Sequence, residues 1–353
     1  MRQFLFVIIV FFALPLAAAP KDGHYSELNG KKAKALFDRV STIANKGYNG
    51  LSYDDLWDAF ATTDVHPGTN QIWDMYGNCT FTSGKKKCGS YSKECDCYNR
   101  EHSIPKSWFG GSTSKGIGTD LFHLVPTDGK VNGMRSNYPF GETEHAEYSY
   151  PSGKGVPDSE KNKLGKSDFA GYTNVGTVFE PADEYKGDFA RGYFGTRVKW
   201  SERNMTESTG GKMFTSSCTS GSGYGLTNYS IALLMKWHRE DPVSQKERDR
   251  NDGIEKKQGN RNPFIDYPYL AEFFWGEKKD KELDFNKLVC SYDPSFKDHP
   301  NGWNESGATD IESIYAQPID EPCLECGNKV MINGQIYIRQ GEHLYNIMGV
   351  DVK

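Results

Sequence analysis

Three stretches of the chain concentrate side chains that can act as bases, ligands or hydrogen-bond donors. They are Asn99–Pro105 (NREHSIP), Asp120–Asn137 (DLFHLVPTDGKVNGMRSN) and Gln258–Phe264 (QGNRNPF). In the first, Glu101 and His102 are neighbours. A carboxylate is a hard oxygen ligand that suits Mg²⁺, and a histidine of ordinary pKa takes a proton from water near neutral pH. Because magnesium binds phosphate oxygens, these residue types indicate phosphoryl chemistry.

The local geometry leaves two arrangements open for Glu101 and His102. Neighbouring side chains on a strand point to opposite faces, so Glu101 would serve a metal while His102 faces a substrate cleft. Alternatively, a local twist brings both side chains to one site. Taken alone, such a dipeptide is typical of a solvated surface pair. The chemistry therefore depends on its combination with the motifs that follow.

The motifs, taken in order, resemble the endonuclease I family of secreted nucleases, which belongs to the ββα-metal (His-Me finger) group. The matching stretches are Glu101-His102, Asp120–Asn137, Phe179–Pro181, Lys186–Asp188 with Arg191, and Asp241–Phe264. The match runs roughly from residue 50 to 276. It implies an α+β fold in which mixed helices and short strands surround a ββα-metal finger.

The resemblance implies a role for each matching residue. His102 matches the general base that activates water, and Glu101 and Asn132 match two protein ligands of a single Mg²⁺ completed by waters. Mn²⁺ and Ca²⁺ are the alternative ions. Lys186 and Arg191 match a basic helix near the cleft, and we expect them to contact phosphate. The alternatives are a turn residue for Asn132 and a helix salt bridge for Arg191.

The sequence departs from the family pattern in two places. The family often has histidine directly after Asp-Leu, but here Phe122 intervenes, and we favour a structural, hydrogen-bonded role for His123. Some members have an arginine between the catalytic histidine and Asp-Leu, where this chain has only Lys106 and Lys115 as cations. For the Gln258–Phe264 stretch, side chains that connect loops are the alternative to a functional role. The arginines that could contact the scissile phosphate instead are Arg135, Arg191 and Arg261.

Local patterns predict the elements around these motifs. Residues 31–60 are predicted to be helical, with apolar residues at helical spacing before a glycine-rich break. Residues 229–238 (YSIALLMKWH) predict a buried helix. Residues 67–98 predict loops with short strands, and the polar, glycine-rich residues 142–177 predict a long surface insertion.

The N-terminus predicts export. A short positive start, an apolar run at Phe4–Leu16 and three alanines are typical of a secretory signal, assigned to residues 1–18. A membrane anchor is the alternative, although the run is short for a span. No later segment is apolar enough to cross a membrane, so we expect no stable insertion. An even number of cysteines favours disulfides in an exported protein. A stapled loop of unknown pairing is predicted at Cys79, Cys88, Cys95 and Cys97.

Beyond the signal, the chain is predicted to divide into three parts. A catalytic domain at 19–290 is followed by a polar linker at 291–325 and a C-terminal β tail at 326–353. The tail alternates apolar and polar residues around Asn333-Gly334, a typical hairpin turn, and predicts a small β-meander. It also resembles the sorting segments of exported Bacteroidetes proteins that type IX secretion machinery reads. An ordinary terminal hairpin is the alternative.

Charge restricts how the protein can bind a polyanion. With 42 basic and 47 acidic residues, the net charge of −5 argues against a histone-like protein that binds nucleic acid through bulk charge. Residues 277–353 hold 14 acidic and 8 basic residues, so the excess acidity belongs to the linker and tail. Residues 19–276 are formally neutral, which fits an enzyme that binds phosphates locally.

The sequence therefore predicts a secreted, Mg²⁺-dependent endonuclease without sequence preference. It would hydrolyse DNA, with RNA as a further substrate, to products with 5′-phosphates, using His102 as general base. We expect a monomer in the medium, at the cell surface or in the periplasm. Two alternatives stay open: a secreted phosphodiesterase of smaller substrates, and a non-catalytic secreted binding or adhesion protein on a nuclease scaffold.

Overall fold

A computed structural model describes residues 24–152 and 155–306, and the backbone of three strands between residues 329 and 346. The chain forms two units, one up to Trp303 and one from Asn304 onward. The predicted signal peptide lies outside the described residues. None of the helices in the described part is both long and apolar enough to cross a membrane. The mixture of helices and small antiparallel sheets confirms the α+β class.

The first unit contains helices of very different length and several short strands. Its helices are α1 (Ala33–Asn45), α2 (Asp55–Thr63), α3 (Gly129–Arg135), α4 (Lys186–Lys199), α5 (Asn228–Glu240), α6 (Gln245–Gln258), α7 (Pro263–Asp266) and α8 (Leu270–Trp275). Its strands are β1 (Gln71–Ile72), β2 (Phe81–Thr82), β3 (Tyr98–His102), β4 (Leu124–Asp128), β5 (Ala146–Tyr150), β6 (Asn162–Lys166) and β7 (Thr177–Glu180). They form the antiparallel sheets β1-β2, β3-β4 and β5-β6-β7.

A strand–strand–helix unit carries the first two motifs. β3 pairs with β4 so that Glu101 lies opposite Val125. α3 follows β4 without a break, because the Asp128 side chain caps it and accepts a hydrogen bond from the Val131 amide at 2.9 Å. The helix that carries Asn132 is thereby fixed to the strand that pairs with the Glu101 strand.

The predicted helix at 31–60 is two helices, α1 and α2. The chain turns after α1 at Gly47, which has a φ of +79°. A Cβ there would lie 2.5 Å from the Gly259 carbonyl oxygen, so this position requires glycine. The predicted helix at 229–238 is confirmed as α5.

α4 is buried on almost every side and forms the centre of the aromatic core. Two of its glycines let other segments approach closely. A Cβ at Gly192 would lie 2.8 Å from the Phe122 carbonyl oxygen, and one at Gly195 would lie 2.4 Å from Asn262 Oδ1. The second and third motifs therefore pack against the same helix, which supports a loop-connecting role for Asn262.

The two segments predicted to be rich in loops, 67–98 and 142–177, both contain short strands. Residues 67–98 contain β1 and β2 and are closed by the disulfides Cys79–Cys95 and Cys88–Cys97, as predicted for a stapled loop. Residues 142–177, predicted to be a surface insertion, contain β5 and β6. Leu164 and Val175 of this segment are buried in the main core, so the insertion is partly structural.

The first unit extends beyond the predicted domain boundary at residue 290. Trp303 stacks on Tyr269 with ring centres 4.6 Å apart, and the Val289 amide donates to the Gly302 carbonyl at 2.9 Å. Residues 291–303 therefore pack against the first unit and do not form a linker. The first unit ends at Trp303, later than the predicted boundary at residue 290. The rest of the predicted linker beyond residue 306 lies outside the described residues.

The second unit is the predicted β-meander. Its strands pair antiparallel in the order β8 (Lys329–Ile332), β9 (Gln335–Gln340) and β10 (His343–Asn346). The register pairs Ile332 with Gln335, so two residues connect β8 and β9. These residues, Asn333 and Gly334, lie outside the described part of the chain.

Candidate active site

His102 ends β3, with its ring buried against Tyr53, Phe109 and His123. Its Nε2 lies 3.0 Å from the Gly118 carbonyl oxygen. Because a carbonyl oxygen only accepts hydrogen bonds, Nε2 carries the proton and Nδ1 keeps its lone pair. The ring is held in the tautomer that a general base needs.

Burial also sets the charge of this ring. It lowers the pKa of His102 to about 3, and His123, Lys106 and Arg100 act in the same direction, so the imidazole is neutral at pH 7. A phosphodiester bound beside the ring would add negative charge and raise this pKa. Substrate binding would therefore make Nδ1 a stronger base for water.

Glu101 projects to the face of β3 opposite His102, which is the first of the two arrangements left open by the sequence. The Tyr76 hydroxyl donates to its Oε1 at 2.9 Å, and Arg135 Nη1 lies 3.0 Å from the same oxygen. Oε2 has no side-chain partner among the described residues. Burial raises the pKa of Glu101 to about 7, against the opposing effects of Arg135 and Tyr76. A cation at Oε2 would favour the charged carboxylate.

Asn132 lies in α3 on the side that faces β3. Residues three apart share a helix face, and Arg135, three residues later, reaches Glu101. Asn132 is partly exposed, and its side chain makes no hydrogen bond within the described part of the chain. A carboxylate oxygen and an amide oxygen on adjoining elements are the donors that Mg²⁺ prefers. These two residues therefore fit the predicted ion.

Arg135 lies at the site, but behind β3. Its guanidinium is fully buried and donates to the carbonyls of His102 at 3.1 Å and Ser103 at 2.5 Å, besides its pairing with Glu101. Its face lies over the Phe140 ring. Arg135 therefore stabilises the end of β3 through these hydrogen bonds. Its side chain has no exposed surface that could contact a phosphate.

The other predicted phosphate-binding cations lie elsewhere and have internal partners. Arg191, fully buried, pairs with both carboxylate oxygens of Glu247 at 2.6 and 2.7 Å, which matches its salt-bridge alternative. Arg261 pairs with Asp252, Glu255 and Asp266, and Lys186 pairs with Glu180 and Asp183. In the described residues none of the three contacts Glu101, His102 or Asn132. Phosphate contact by these cations stays a prediction that the geometry does not favour.

The His123 ring lies next to His102, with the two ring centres 5.7 Å apart. It is fully buried, and its Nε2 lies 2.7 Å from the Ile117 carbonyl oxygen. Burial lowers its pKa to about 4. This environment agrees with the structural, hydrogen-bonded histidine that the sequence predicts.

Asp120 fixes the loop that supplies the Gly118 carbonyl to His102. Its carboxylate pairs with the Lys199 ammonium at 2.7 Å and accepts hydrogen bonds from Trp200 Nε1 at 2.6 Å and Gln258 Nε2 at 3.0 Å. Burial lowers the pKa of Lys199 to about 8, although Asp120 opposes the shift. A buried charged pair therefore anchors the loop that contacts His102.

Sequence reasoning missed several residues of the site. Tyr76 lies in a glycine-rich loop and Lys199 ends a helix nearly eighty positions after Asp120, so no local pattern connects them to the motifs. Arg100 could have been found, because alternation along a strand places it on the face of His102. The structure shows its guanidinium over the Tyr53 ring, which itself stacks on His102.

His102 is buried and neutral, and Glu101 and Asn132 on the same strand–strand–helix unit carry oxygen atoms of the kind that bind Mg²⁺. A family model, Endonuclease I, matches residues 30–269 of the chain. The chain belongs to the endonuclease I family, as the resemblance implied, and is a hydrolytic nuclease.

Similar known proteins are nucleases too. The chain is 33% identical over 263 residues to an extracellular ribonuclease of Bacillus amyloliquefaciens, covering 73% of this chain and 80% of the relative. It is 32% identical over 278 residues to an extracellular ribonuclease of Bacillus subtilis (strain 168), covering 76% and 83%. A periplasmic deoxyribonuclease of Aeromonas hydrophila is 26% identical over 147 residues, covering 42% and 47%.

Proposed function

We propose that the chain is a secreted, Mg²⁺-dependent endonuclease that hydrolyses DNA, with RNA as a second substrate, without sequence preference. In this proposal the strand–strand–helix unit is a ββα-metal finger. One observation carries it: His102 keeps the Nδ1 lone pair, while Glu101 Oε2 and Asn132 offer oxygen ligands on the same unit. The scissile phosphate would lie at the end of β3, where both Glu101 on one face of the strand and His102 on the other could reach it.

The residues of the chain would divide the reaction as follows. His102 Nδ1 takes a proton from water as the water oxygen forms a bond to phosphorus, and the Gly118 carbonyl stabilises the resulting imidazolium through Nε2–H. The bond from phosphorus to the 3′ oxygen breaks, and that oxygen takes a proton from solvent. The products carry a 5′-phosphate and a 3′-hydroxyl. Mg²⁺ held by Glu101 and Asn132 supplies, when bound, positive charge beside the phosphate and the departing oxygen.

Water as the nucleophile explains why both nucleic acids are substrates in this proposal. Attack by water does not use the ribose 2′-hydroxyl, so the same residues would serve DNA and RNA. The relatives named above include two ribonucleases and a deoxyribonuclease, which supports a sugar-tolerant site.

Export is part of the proposal. The relatives are named extracellular or periplasmic, and two disulfides persist best in an oxidising compartment. Residues 1–18 would direct export, and residues 327–353 would be read by type IX machinery. Deleting 327–353 should leave the purified monomeric enzyme active but change its delivery. Normal delivery of the truncated protein would contradict the sorting role.

The decisive test is digestion of plasmid DNA and of RNA by the purified protein, with Mg²⁺ or with EDTA. His102→Ala should lower the rate roughly 10²–10⁴-fold, the usual worth of general-base catalysis. Glu101→Gln should lower the rate. It should also raise the Mg²⁺ concentration that gives half-maximal cutting, because it removes a charged ligand. His145→Ala, at an exposed histidine, is the matched control and should cut at the wild-type rate. Near wild-type cutting by His102→Ala would exclude the mechanism.

The same panel separates the two rival functions. A phosphodiesterase of smaller substrates would hydrolyse a nitrophenyl ester of a mononucleotide faster than long DNA. A non-catalytic binding protein would retain plasmid without cutting it, with or without Mg²⁺.

A further inference from the structure

We propose that a surface running from the disulfide-closed loop to His102 binds the substrate strand next to the scissile phosphate, with Arg100 contacting its phosphates. This inference rests on the proposed nuclease function. The surface, called here the cation–aromatic strip, consists of Lys87, Trp57, Arg100 and Tyr53.

The strip is continuous and ends on the general base. Lys87 Nζ lies 5.5 Å from the centre of the Trp57 ring, and the Arg100 guanidinium lies 4.4 Å from the same ring. The other side of Arg100 lies 3.6 Å from the Tyr53 ring. The Tyr53 ring in turn lies 6.0 Å from the His102 ring, nearly parallel at 19°. Cations and aromatic rings therefore alternate along one face up to the site where water would attack.

Arg100 is placed to donate outward. Its hydrogen bonds to the Tyr53 carbonyl at 2.8 Å and to Asp54 at 3.1 Å are both made by Nη1. Its Nε is buried without a partner in the described part of the chain, so the outward donor is Nη2, which makes no hydrogen bond there. The side chain is 15% exposed, whereas those of Arg135 and Arg191 are 1% and 0% exposed. Of these arginines, Arg100 alone combines exposure with a position beside His102.

The charge around the strip suits a polyanion. Lys85, Lys86 and Lys87 are exposed in the loop closed by the two disulfides, and Lys106 lies exposed beyond His102. Acidic residues also lie near the strip, but Asp54 is paired with Arg100, and Glu101 is buried and paired with Arg135. The exposed lysines are therefore the groups of this region that a polyanion would meet first.

The chemistry of the strip explains tolerance of sequence. Arginine and lysine side chains pair with phosphates, which every nucleotide carries, and a phosphate contact carries no sequence information. The Trp57 and Tyr53 rings lie against these cations and hold them in place. The chemical class bound is therefore a nucleic-acid strand of any sequence.

Binding measurements in a His102→Ala background separate this role from catalysis. The probes are fluorescein-labelled DNA oligonucleotides of about 20 nucleotides, single-stranded and duplex, titrated from about 50 to 250 mM NaCl. Arg100→Gln should weaken binding and reduce the slope of log K against log salt by about 0.9 for duplex or about 0.7 for single strands, the loss of one phosphate contact. Trp57→Leu should weaken binding and also reduce the salt slope, because it removes the ring that lies against both Arg100 and Lys87.

Matched controls lie away from the strip. Arg248→Gln, at a partly exposed arginine on α6, should change neither the affinity nor the salt slope. If Arg100→Gln lowers the melting temperature sharply, exposed Lys87→Gln, compared with exposed Lys279→Gln, decides the same question.

Two failures can be told apart. If wild-type protein cuts DNA but Arg100→Gln and Lys87→Gln bind with unchanged affinity and salt slope, the strip is structural and this inference is wrong. If wild-type protein cuts neither DNA nor RNA, the proposed function is wrong instead. In the active enzyme, Arg100→Gln should raise KM more than it lowers kcat.

Discussion

Glu101 and His102 are adjacent in the chain, yet burial moves their pKa values in opposite directions. The pKa of Glu101 rises to about 7 and that of His102 falls to about 3, because burial penalises the charged form of each group. A metal cation would restore the charge of Glu101, and a bound phosphate would raise the basicity of His102. At the scale of single residues, both groups would therefore respond to bound ions, Glu101 to a cation and His102 to an anion.

Tyr76 holds the carboxylate of Glu101, and its hydroxyl gives the first testable prediction. Tyr76→Phe removes the hydrogen bond to Oε1, and we expect about 10- to 100-fold weaker Mg²⁺ affinity, the usual cost of losing a group that orients a metal ligand. The Mg²⁺ concentration that gives half-maximal activity measures this.

The matched control for Tyr76→Phe is Tyr229→Phe. Tyr229 is also buried, but its hydroxyl donates to the Phe140 carbonyl at 2.6 Å. Both variants should lose similar stability, while only Tyr76→Phe should change the Mg²⁺ requirement. An equal requirement in the two variants would show that Tyr76 does not act through Glu101.

At the scale of elements, β3 and the loop before β4 act as one positioning unit. β3 carries His102, and the loop carries the Gly118 carbonyl that fixes the tautomer of its ring. Asp120 and Lys199 anchor the loop, and Gly192 of α4 lets it approach the core. Chemistry on β3 therefore depends on segments far away in the sequence.

Gly118→Ala tests this dependence. A Cβ at Gly118 would lie 2.3 Å from the Ser112 carbonyl oxygen, so the backbone must shift and carry its own carbonyl away from His102. We expect kcat to fall about 10- to 100-fold with little change in KM, as for other small misplacements of catalytic groups. Gly221→Ala, where nothing lies within 4 Å of the new Cβ, is the control and should keep the wild-type kcat. An unchanged kcat in Gly118→Ala would mean that the carbonyl is not needed.

The elements also show what the sequence could and could not predict. Strand alternation left two arrangements open for Glu101 and His102, and the resemblance implied the strand–strand–helix unit on which Asn132 lies. The expectation for Arg191 placed it on a basic helix near the cleft, whereas the closely spaced glycines of α4 let other segments pack around that helix. Lys199 could not be predicted as a partner of Asp120, because only the tertiary fold brings them together.

At the scale of the whole molecule, buried histidines make the free energy of unfolding depend on pH. The pKa of His123 falls from 6.5 to about 4 through burial, so between pH 6.5 and 4 the unfolded chain binds more protons than the folded chain. The free energy of unfolding should therefore fall as pH falls through this window, by as much as about 3 kcal/mol for this group. Buried carboxylates such as Glu101 act in the opposite direction, so the total pH profile is not diagnostic.

The difference between wild type and His123→Gln isolates this effect. Glutamine can still donate to the Ile117 carbonyl but does not titrate, so its advantage over wild type should grow as pH falls from 6.5 to 4. Urea unfolding at several pH values measures the difference. A difference that stays constant across the window would show that His123 titrates normally.

The extent of the catalytic unit gives the last prediction. Because Trp303 stacks on Tyr269 and Phe296 is buried with Val243, residues 291–303 complete the core. A chain ending at residue 306 should keep full nuclease activity and the melting temperature of its first unit. A chain ending at residue 290 should lose about 3–5 kcal/mol of stability, the usual cost of deleting one large buried aromatic side chain. Trp303→Ala in the full chain should reproduce much of that loss in thermal unfolding, and equal stability of the two truncated chains would restore the boundary at residue 290.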